Sequence, residues 1–175
     1  MYGEVSHLNH NIFRHFYIDK NIPPQPTITR MPVHPISPTA LDLATTTHSN
    51  KPIYMLNLWR YRPQAIYPSA HAHLSPSPCT GEEAMLRYRA AITAVLPEGA
   101  TIHFQGKPIA NIAAPEGEEK WDQAVVVKYR DVEGFRRMVE SREYKENVEG
   151  HRLAGLVEWR LICCERVDGG EGEVE

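Results

Sequence analysis

Cysteine is scarce in this chain, and its few positions exclude a disulfide framework. The 175 residues contain three cysteines. Cys79 lies in a segment rich in proline and serine, while Cys163 and Cys164 are neighbours whose side chains would point to opposite faces of a strand. No CxxC pair and no Cys/His pattern with zinc-finger spacing occurs. We therefore expect reduced thiols and no structural metal.

The chain also lacks a surplus of one charge and any long apolar run. Its formal net charge is −3, and Lys and Arg are interspersed with Asp and Glu, so the basic stripe of a nucleic-acid-binding protein is missing. No apolar run could span a bilayer, and the N-terminal residues lack the apolar segment of a secretory signal. The sequence predicts a cytoplasmic protein that has neither nucleic acid nor membrane as a partner.

Common catalytic signatures are absent as well. There is no GxGxxG or P-loop pattern for nucleotides and no GxSxG elbow for a nucleophilic serine. His71 and His73 form an HxH pair, but no third ligand is evident. We favour surface positions over metal ligands for this pair, and we expect no cofactor.

Proline is concentrated towards the N-terminus. Eleven of the fourteen prolines lie before residue 80, and six of them lie between Pro23 and Pro38. Because proline fixes φ and lacks a backbone donor, this stretch cannot form regular secondary structure throughout. We expect a Pro-rich arm over residues 1–50, a core domain over 51–167 and an acidic, flexible tail over 168–175. Within the arm, Ser37 or Thr39 would cap a short helix over 39–47.

Hydrophobic periodicity predicts six elements in the core domain. Strands are expected over residues 52–61, 100–106, 121–129 and 156–164, and helices over 81–96 and 131–149, the second broken near Ser141. Thr80 and Glu83 form a capping box before the first helix. The order is βαββαβ, which predicts an α+β, ferredoxin-like fold with an N-terminal extension.

The first strand is apolar on both faces. Tyr54, Leu56 and Leu58 alternate there with Met55, Asn57 and Trp59. Two helices cover only one face of a four-stranded sheet, and a chain of this length has no second helical layer for the other face. A homodimer that packs sheet against sheet is the simplest closed arrangement.

Several short motifs carry a resemblance to a known family. They are LNL in the first strand, a Gly-led helix containing RY, WD before the third strand, F..M..S.EY, and HR.AGL before the last strand. The chain resembles the domain-of-unknown-function 1330 family, within the dimeric α/β-barrel superfamily, over roughly residues 51–165. The resemblance leaves the N-terminal arm unexplained.

This resemblance implies a fold and a kind of pocket, and no single reaction. The implied subunit is ferredoxin-like, dimerises through its sheet and holds a pocket between the sheet and its helices or loops. Relatives in the superfamily include cofactor-independent monooxygenases, polyketide cyclases, isomerases, dehydratases, decarboxylases and haem-binding enzymes. We therefore expect a dimeric α/β barrel whose site depends on individual side chains.

Polar residues in apolar surroundings are the first candidates for a site. A buried, unpaired amide costs ~1–3 kcal/mol, so Asn57 either ties its strand to a loop or orients a substrate oxygen. We expect His103 to share a strand face with Gln105, opposite Ile102 and Phe104. There it would be either a general acid/base in a pocket lined by Trp59 or Trp121, or a satisfied core histidine.

His151 and Arg152 are the second pair of candidates. They follow Gly150, where a helix is expected to end, so the sequence places them on a connection before the last strand. A histidine and a bidentate arginine suit proton transfer beside an enolate, while the alternative is a cationic pair at a helix C-terminus. The predicted catalytic residues are His103 and His151. The predicted substrate-binding residues are Asn57, Arg152, Trp59, Trp121, Tyr54 and Tyr88.

The first functional hypothesis is a small cofactor-independent enzyme acting on an aromatic or polyketide-like molecule. Acid/base chemistry would lead to cyclisation, isomerisation, dehydration or decarboxylation, in secondary metabolism. A histidine would remove a proton α to a carbonyl, while Asn57 or Arg152 stabilises the oxyanion. The alternatives are a non-catalytic small-molecule-binding or assembly protein, and a haem- or oxygen-dependent monooxygenase of the same superfamily.

Overall fold

Four antiparallel strands form the framework of the protein. The computed structural model describes residues 33–75, 77–114 and 119–167. Its strands are β1 (Ile53–Tyr61), β2 (Thr101–Gly106), β3 (Gln123–Tyr129) and β4 (Leu156–Cys164). They pair in the order β2-β3-β1-β4, which is the order of a ferredoxin-like sheet. The predicted α+β, ferredoxin-like fold is confirmed.

Five helices and a short 3₁₀ segment surround this sheet in the described residues. They are α1 (Pro38–Thr47), the 3₁₀ segment (Ser69–Leu74), α2 (Gly81–Ile92), α3 (Val132–Glu140), α4 (Arg142–Asn147) and α5 (Glu149–Gly155). None of these helices is long and apolar enough to cross a membrane. The predicted helix over 131–149 corresponds to α3 and α4, and α5 occupies the stretch that the sequence predicts as a connection before the last strand.

Side-chain caps set where the helices begin. The Ser37 hydroxyl accepts a hydrogen bond from the Ala40 N–H at 3.2 Å, and Thr80 and Glu83 form the predicted capping box. Ser141 has extended backbone angles, and its hydroxyl accepts from the Tyr144 N–H at 3.1 Å. It therefore ends α3 and starts α4, which confirms the predicted break.

Helix α2 ends four residues earlier than the sequence predicts. Beyond Ile92 the chain tightens, because Val95 N–H donates to the Ile92 carbonyl at 3.0 Å, three residues back. The apolar side chains of this turn still pack on the core, which is why the helical periodicity continues past the helix itself. Hydrophobic periodicity indicates which residues are buried, and here buried residues continue beyond the end of the helix.

One face of the sheet packs against the helices. Its buried residues include Ile53 (0% exposed), Met55, Trp59, Val125 and Tyr129, which meet Met85, Phe135, Met138, Val139 and Tyr144 of the helices. The other face has no helix on it in the described residues, and Phe104 and Ile162 are 54% and 47% exposed there. One face of β1 is therefore apolar because it packs against the helices, and the other is apolar without a covering helix in the described residues.

Strand β2 carries a bulge that the sequence pattern does not reveal. Ile102 pairs with Val127 and Phe104 with Val126, so a register shift lies between them. Residues that oppose consecutive positions of β3 lie on opposite faces of the sheet. The prediction that Ile102 and Phe104 share a face is therefore wrong, because the extra residue of the bulge inverts the alternation.

Two glycines set how closely α2 approaches α5. A Cβ on Gly81 would lie 2.5 Å from the Gly155 carbonyl oxygen, and one on Gly155 would lie 2.8 Å from the Gly81 oxygen. The Gly81 N–H also donates to the Arg62 carbonyl at 3.0 Å. No other residue permits this backbone contact. The Gly that leads the α2 motif and the AGL before β4 are thus two halves of one contact.

The described part of the predicted N-terminal arm includes α1, which packs on the core. Leu41 is 7% exposed, and the Asp42 carboxylate pairs with Arg136 of α3 at 2.7 Å. The remainder of the predicted arm, residues 1–32, and the predicted tail, 168–175, lie outside the described residues.

Candidate functional site

A small cavity lies between the helix-facing side of the sheet and the helices. Its volume is about 120 Å³. Six aromatic side chains contribute to its wall, namely Trp59, Tyr88, Tyr129, Phe135, Tyr144 and Trp159. An apolar cavity of about 150 Å³ is known to hold a benzene ring in another protein. The size and lining therefore suit a ligand with one aromatic ring.

Two amides line the sheet side of the cavity, Asn57 in its floor and Gln105 at its rim. Gln105, Val125 and Asn57 form one row across β2, β3 and β1, so the amides are two strand spacings apart, roughly 10 Å. The Asn57 Nδ2 donates to the carbonyls of Met55 at 3.0 Å and Val125 at 3.4 Å. Asn57 is thus tied to its own sheet, and its oxygen is the part of the amide left for a ligand.

Two tryptophans on neighbouring strands supply buried hydrogen-bond donors. Trp59 and Trp159 pair directly across β1 and β4 and are 5% and 7% exposed. Within the described residues, neither indole Nε1 has a hydrogen-bond partner. A buried unsatisfied donor costs ~1–3 kcal/mol. A ligand oxygen that accepts from either indole would relieve that cost.

Tyrosine hydroxyls are the titratable groups of the cavity wall. The ring of Tyr88 meets Trp59 edge-on, with centroids 6.1 Å apart. Burial raises the pKa of Tyr88 well above its ordinary value, the adjacent Tyr144 raises that pKa further, and the Arg152 guanidinium partly opposes both. Burial and Tyr144 likewise raise the pKa of Tyr129. Tyr88 and Tyr129 are therefore protonated donors at neutral pH, and neither serves as a base.

The rim of the cavity is more polar than its interior. Arg89, in the last turn of α2, lines the cavity together with Thr93, Gln105 and Ile102. Arg89 is half-buried, while the other three are exposed, Ile102 by 61%. The cavity therefore reaches solvent between the end of α2 and the edge strand β2.

Arg152 lies behind the cavity wall rather than in the cavity. Its side chain is 1% exposed, its guanidinium carbon is 4.1 Å from the Trp159 ring centroid, and Nη2 is 2.7 Å from the Glu149 carboxylate. Arg152 therefore supports Trp159 and acts on the cavity through its charge. It does not occupy the substrate-binding position that the sequence suggested.

His151 and Arg152 belong to α5, so their predicted place on a connection is wrong. Gly150 does not end a helix. A Cβ at this position would lie 2.6 Å from the His71 ring and 2.8 Å from Leu74, so the glycine permits the 3₁₀ segment to pack against α5. The sequence alone does not distinguish a glycine that permits close packing from a glycine that ends a helix.

His151 sits in a separate polar cluster outside the cavity lining. It is 8% exposed, and its Nδ1 is 2.8 Å from the Tyr67 hydroxyl. Burial lowers the pKa of His151, and the charges of Arg87, His71 and His73 lower it further. The imidazole is therefore kept neutral beside Tyr67.

Three further predicted site residues lie outside the cavity. His103 is exposed on β2, and its ring meets Tyr54 edge-on with centroids 5.1 Å apart. The Trp121 ring lies 5.4 Å from the Arg160 guanidinium. None of the three lines the cavity. The structure thus does not bring His103 and His151 together, and it gathers only Asn57, Trp59 and Tyr88 of the predicted set.

The described residues offer no set of ligands for a metal ion or a haem. No three His, Cys, Asp or Glu side chains there are grouped as metal ligands, His71 and His73 included. A cavity of about 120 Å³ is several times smaller than a porphyrin, and no described histidine or cysteine lines it. The haem alternative therefore does not fit this site.

Comparison with known proteins identifies the family. The profile of the family described as Domain of unknown function (DUF1330) matches residues 77–166. The chain belongs to the DUF1330 family. The matched range contains four of the five motifs noted in the sequence, while LNL in β1 precedes it. No curated protein matches the chain.

Three solved structures are similar to this DUF1330 protein. A methylated RPA0582 protein has 29% identity and a TM-score of 0.67 over 81% of this chain and 100% of its own. RPA0582 from Rhodopseudomonas palustris, described as a protein of unknown function, has 28% identity and a TM-score of 0.62 over 77% and 95%. A DABB family protein with a ferredoxin-like fold from Mesorhizobium loti has 13% identity and a TM-score of 0.41 over 66% and 97%.

Several cavity residues of this DUF1330 protein were not among the predicted site residues. The sequence pattern predicts that Gln105 shares a strand face with His103, because the bulge in β2 cannot be seen in the sequence. Tyr144 and Trp159 look like core residues, and they are core residues that also border a cavity. One sequence feature points to Arg89: it follows Tyr88 directly, on a helix that the sequence predicts to be amphipathic.

His151 gives a prediction about stability in mild acid. The unfolded chain takes up a proton on this histidine near its ordinary pKa of 6.5, whereas the folded protein takes it up only at lower pH. As the pH falls through that window the unfolded state binds more protons, so the free energy of unfolding decreases. His151→Asn keeps a hydrogen-bonding group towards Tyr67 and cannot titrate. Its melting temperature should fall less than that of the wild type between about pH 7 and about pH 5.

His103→Asn is the matched control for that measurement. It removes an exposed imidazole on β2 and should leave the acid dependence as in the wild type. Equal losses of melting temperature in the wild type and His151→Asn would refute the assignment of acid sensitivity to the His151–Tyr67 pair.

Proposed function

We propose that this DUF1330 protein is a small cofactor-independent enzyme that acts on an aromatic, oxygen-bearing molecule held in the cavity. The observation that carries the proposal is the pair of buried indole donors, on Trp59 and Trp159, in the wall of a cavity of about 120 Å³. Natural proteins rarely leave buried donors unpaired. A carbonyl or enolate oxygen is the partner such donors fit.

The same wall supports a mechanism based on hydrogen-bond donation. Tyr88 remains protonated because burial raises its pKa, so it can donate to a substrate oxygen that becomes negative. Arg152, 1% exposed behind Trp159, contributes positive charge to this region at a short range and low dielectric. A polarised carbonyl releases an α-proton to water more easily, and the resulting enolate is held by the donors. Aldol-type cyclisation, isomerisation of a ketone and loss of water from a β-hydroxy ketone use the enolate formed by proton loss, and decarboxylation of a β-keto acid forms the same oxyanion by loss of CO₂.

Tyrosine and tryptophan donors thus replace the histidines in the mechanism suggested by the sequence. His103 lies outside the cavity lining, and His151 is bonded to Tyr67 in another cluster. A proton that leaves the substrate would pass to solvent at the rim.

A non-catalytic binding protein is the second candidate function. It is favoured by one observation: among the described residues that line the cavity, none is a histidine, aspartate or glutamate. A site that only binds needs donors and shape, whereas proton abstraction gains from a base. The two candidates predict the same ligand class and differ in whether proton exchange accelerates.

We also infer that two copies of the chain pack through the sheet face that carries Phe104 and Ile162. Leu56 and Val126 pair between Phe104 and Ile162 on this face, so apolar groups run across all four strands. An apolar sheet face without a covering layer is a common dimerisation surface. The supporting observation is that the described helices pack against the opposite face.

Benzylacetone, an uncharged ketone with one aromatic ring, tests the proposed enzyme. It should bind to the wild type in isothermal titration calorimetry, and its α-protons should exchange with solvent deuterium faster in the presence of the protein, as seen by NMR. Tyr88→Phe removes one donor and should weaken binding about fivefold and slow exchange by at least as much. Binding without accelerated exchange would select the non-catalytic candidate.

Cavity filling provides the matched control for the benzylacetone experiment. Val125→Phe places a ring in the cavity and should abolish binding, whereas Leu86→Phe places one on the exposed side of α2 and should not. Circular dichroism shows whether both variants fold. Binding that survives in folded Val125→Phe would show that the ketone sits elsewhere and would overturn the proposed site.

The proposed dimer is tested by sedimentation velocity. The wild type should sediment as two subunits, and Leu56→Lys should shift it towards one, since it places a charge in the middle of the apolar face. Leu86→Lys is the control, because Leu86 is 52% exposed on α2. A single-subunit wild type, or a dimer that tolerates Leu56→Lys as well as Leu86→Lys, would contradict the proposed interface.

A further inference from the structure

Arg89 at the rim of the cavity points to the class of ligand. The rest of the wall is aromatic and aliphatic, with neutral donors, so this guanidinium is a charged group beside an apolar chamber. A half-buried arginine that borders a cavity is an anchor for an anionic oxygen pair, because its planar fork matches a carboxylate.

Arg89 is free to take such a partner. Other described arginines have carboxylate partners on the protein, such as Arg136 with Asp42 at 2.7 Å and Arg142 with Glu146 at 2.8 Å. In the described residues, no ion pair or side-chain hydrogen bond is formed by the Arg89 guanidinium; its charge acts on Tyr61, whose pKa it lowers against the stronger effect of burial. The group is therefore positioned and unpaired.

We infer that the ligand is a single-ring aromatic carboxylate, with its ring in the cavity and its carboxylate on Arg89 at the rim. The inference rests on the proposed function, since it uses the same cavity. Two observations agree with it. The cavity of about 120 Å³ has room for one ring, and the exposed residues Thr93, Ile102 and Gln105 show where the polar end of the ligand would reach solvent.

One effect opposes an anion at this place and is the smaller of the two. Arg89 is in the last turn of α2, where the helix dipole carries partial negative charge. That charge typically weakens anion binding about two- to fivefold at a helix end. A charge-assisted, bidentate hydrogen bond strengthens binding about ten- to a hundredfold. The arginine therefore dominates.

The test compares cinnamate with cinnamamide, which has the same shape and no charge. Calorimetric titration of the full chain at about pH 7.5 should show cinnamate binding at least about tenfold more tightly than cinnamamide. Arg89→Gln should abolish this preference, because it weakens cinnamate binding far more than cinnamamide binding. Arg89→Lys should retain part of the preference, because charge remains and the fork is lost.

Arg137→Gln is the control for loss of one positive charge. Arg137 is 68% exposed on α3 and pairs only loosely with Glu133, at 3.8 Å. This variant should keep the full preference for cinnamate. High salt should reduce the preference in the wild type and leave cinnamamide binding unchanged.

The possible results separate the inference from the function on which it rests. Equal affinities for cinnamate and cinnamamide in the wild type would overturn the carboxylate assignment and leave the cavity as the site. A preference that persists in Arg89→Gln would assign the anion to another group and also overturn the inference. Failure of the wild type to bind cinnamamide, cinnamate and benzylacetone would overturn the proposed function itself.

Discussion

The contact between two glycine backbones determines where this fold is closed and where it is open. Gly81 and Gly155 bring the start of α2 against the end of α5 at a separation that excludes any Cβ. Close packing at that end fixes the helix over Trp59 and Leu156 of the sheet. At its other end α2 faces the edge strand β2, and the cavity opens to solvent between them. A tight junction at one end of a helix and a lining role at the other explain why one sheet face holds both a core and a chamber.

The chemistry of that chamber follows from what surrounds it. Burial disfavours charge, so Tyr88 and Tyr129 stay neutral, and the cavity offers hydrogen-bond donors rather than bases. The nearest buried cation, Arg152, is held out of the cavity by Trp159 and neutralised in part by Glu149. This division places tryptophan and tyrosine side chains in the cavity wall, positive charge behind the wall and Arg89 at the rim. Such an order of groups fits an aromatic molecule with a polar end.

Much of the fold could be predicted from the sequence because local physics decides it. Alternation gave the four strands, and Thr80, Glu83 and Ser141 are caps whose hydrogen bonds occur as predicted. The predictions that were wrong concern places where the same sequence is compatible with two local structures. Gly150 serves packing against His71 rather than a helix end, and the bulge between Ile102 and Phe104 changes which side chains share a face.

The candidate site was harder to predict than the fold for a related reason. A cavity is a property of how elements are spaced, and no local pattern reports that spacing. Asn57 stood out as an amide in an apolar strand, and it does line the cavity. His103 and His151 stood out for their chemistry alone, and their positions depend on a bulge and on a packing glycine.

The most direct test of this account is a crystal structure of the protein with bound cinnamate. The account predicts electron density for the ring between Trp59, Tyr88 and Trp159, with a carboxylate oxygen within hydrogen-bonding distance of the Arg89 guanidinium. Density for the ligand in the His151–Tyr67 cluster or on the open sheet face, with the cavity unchanged, would contradict it.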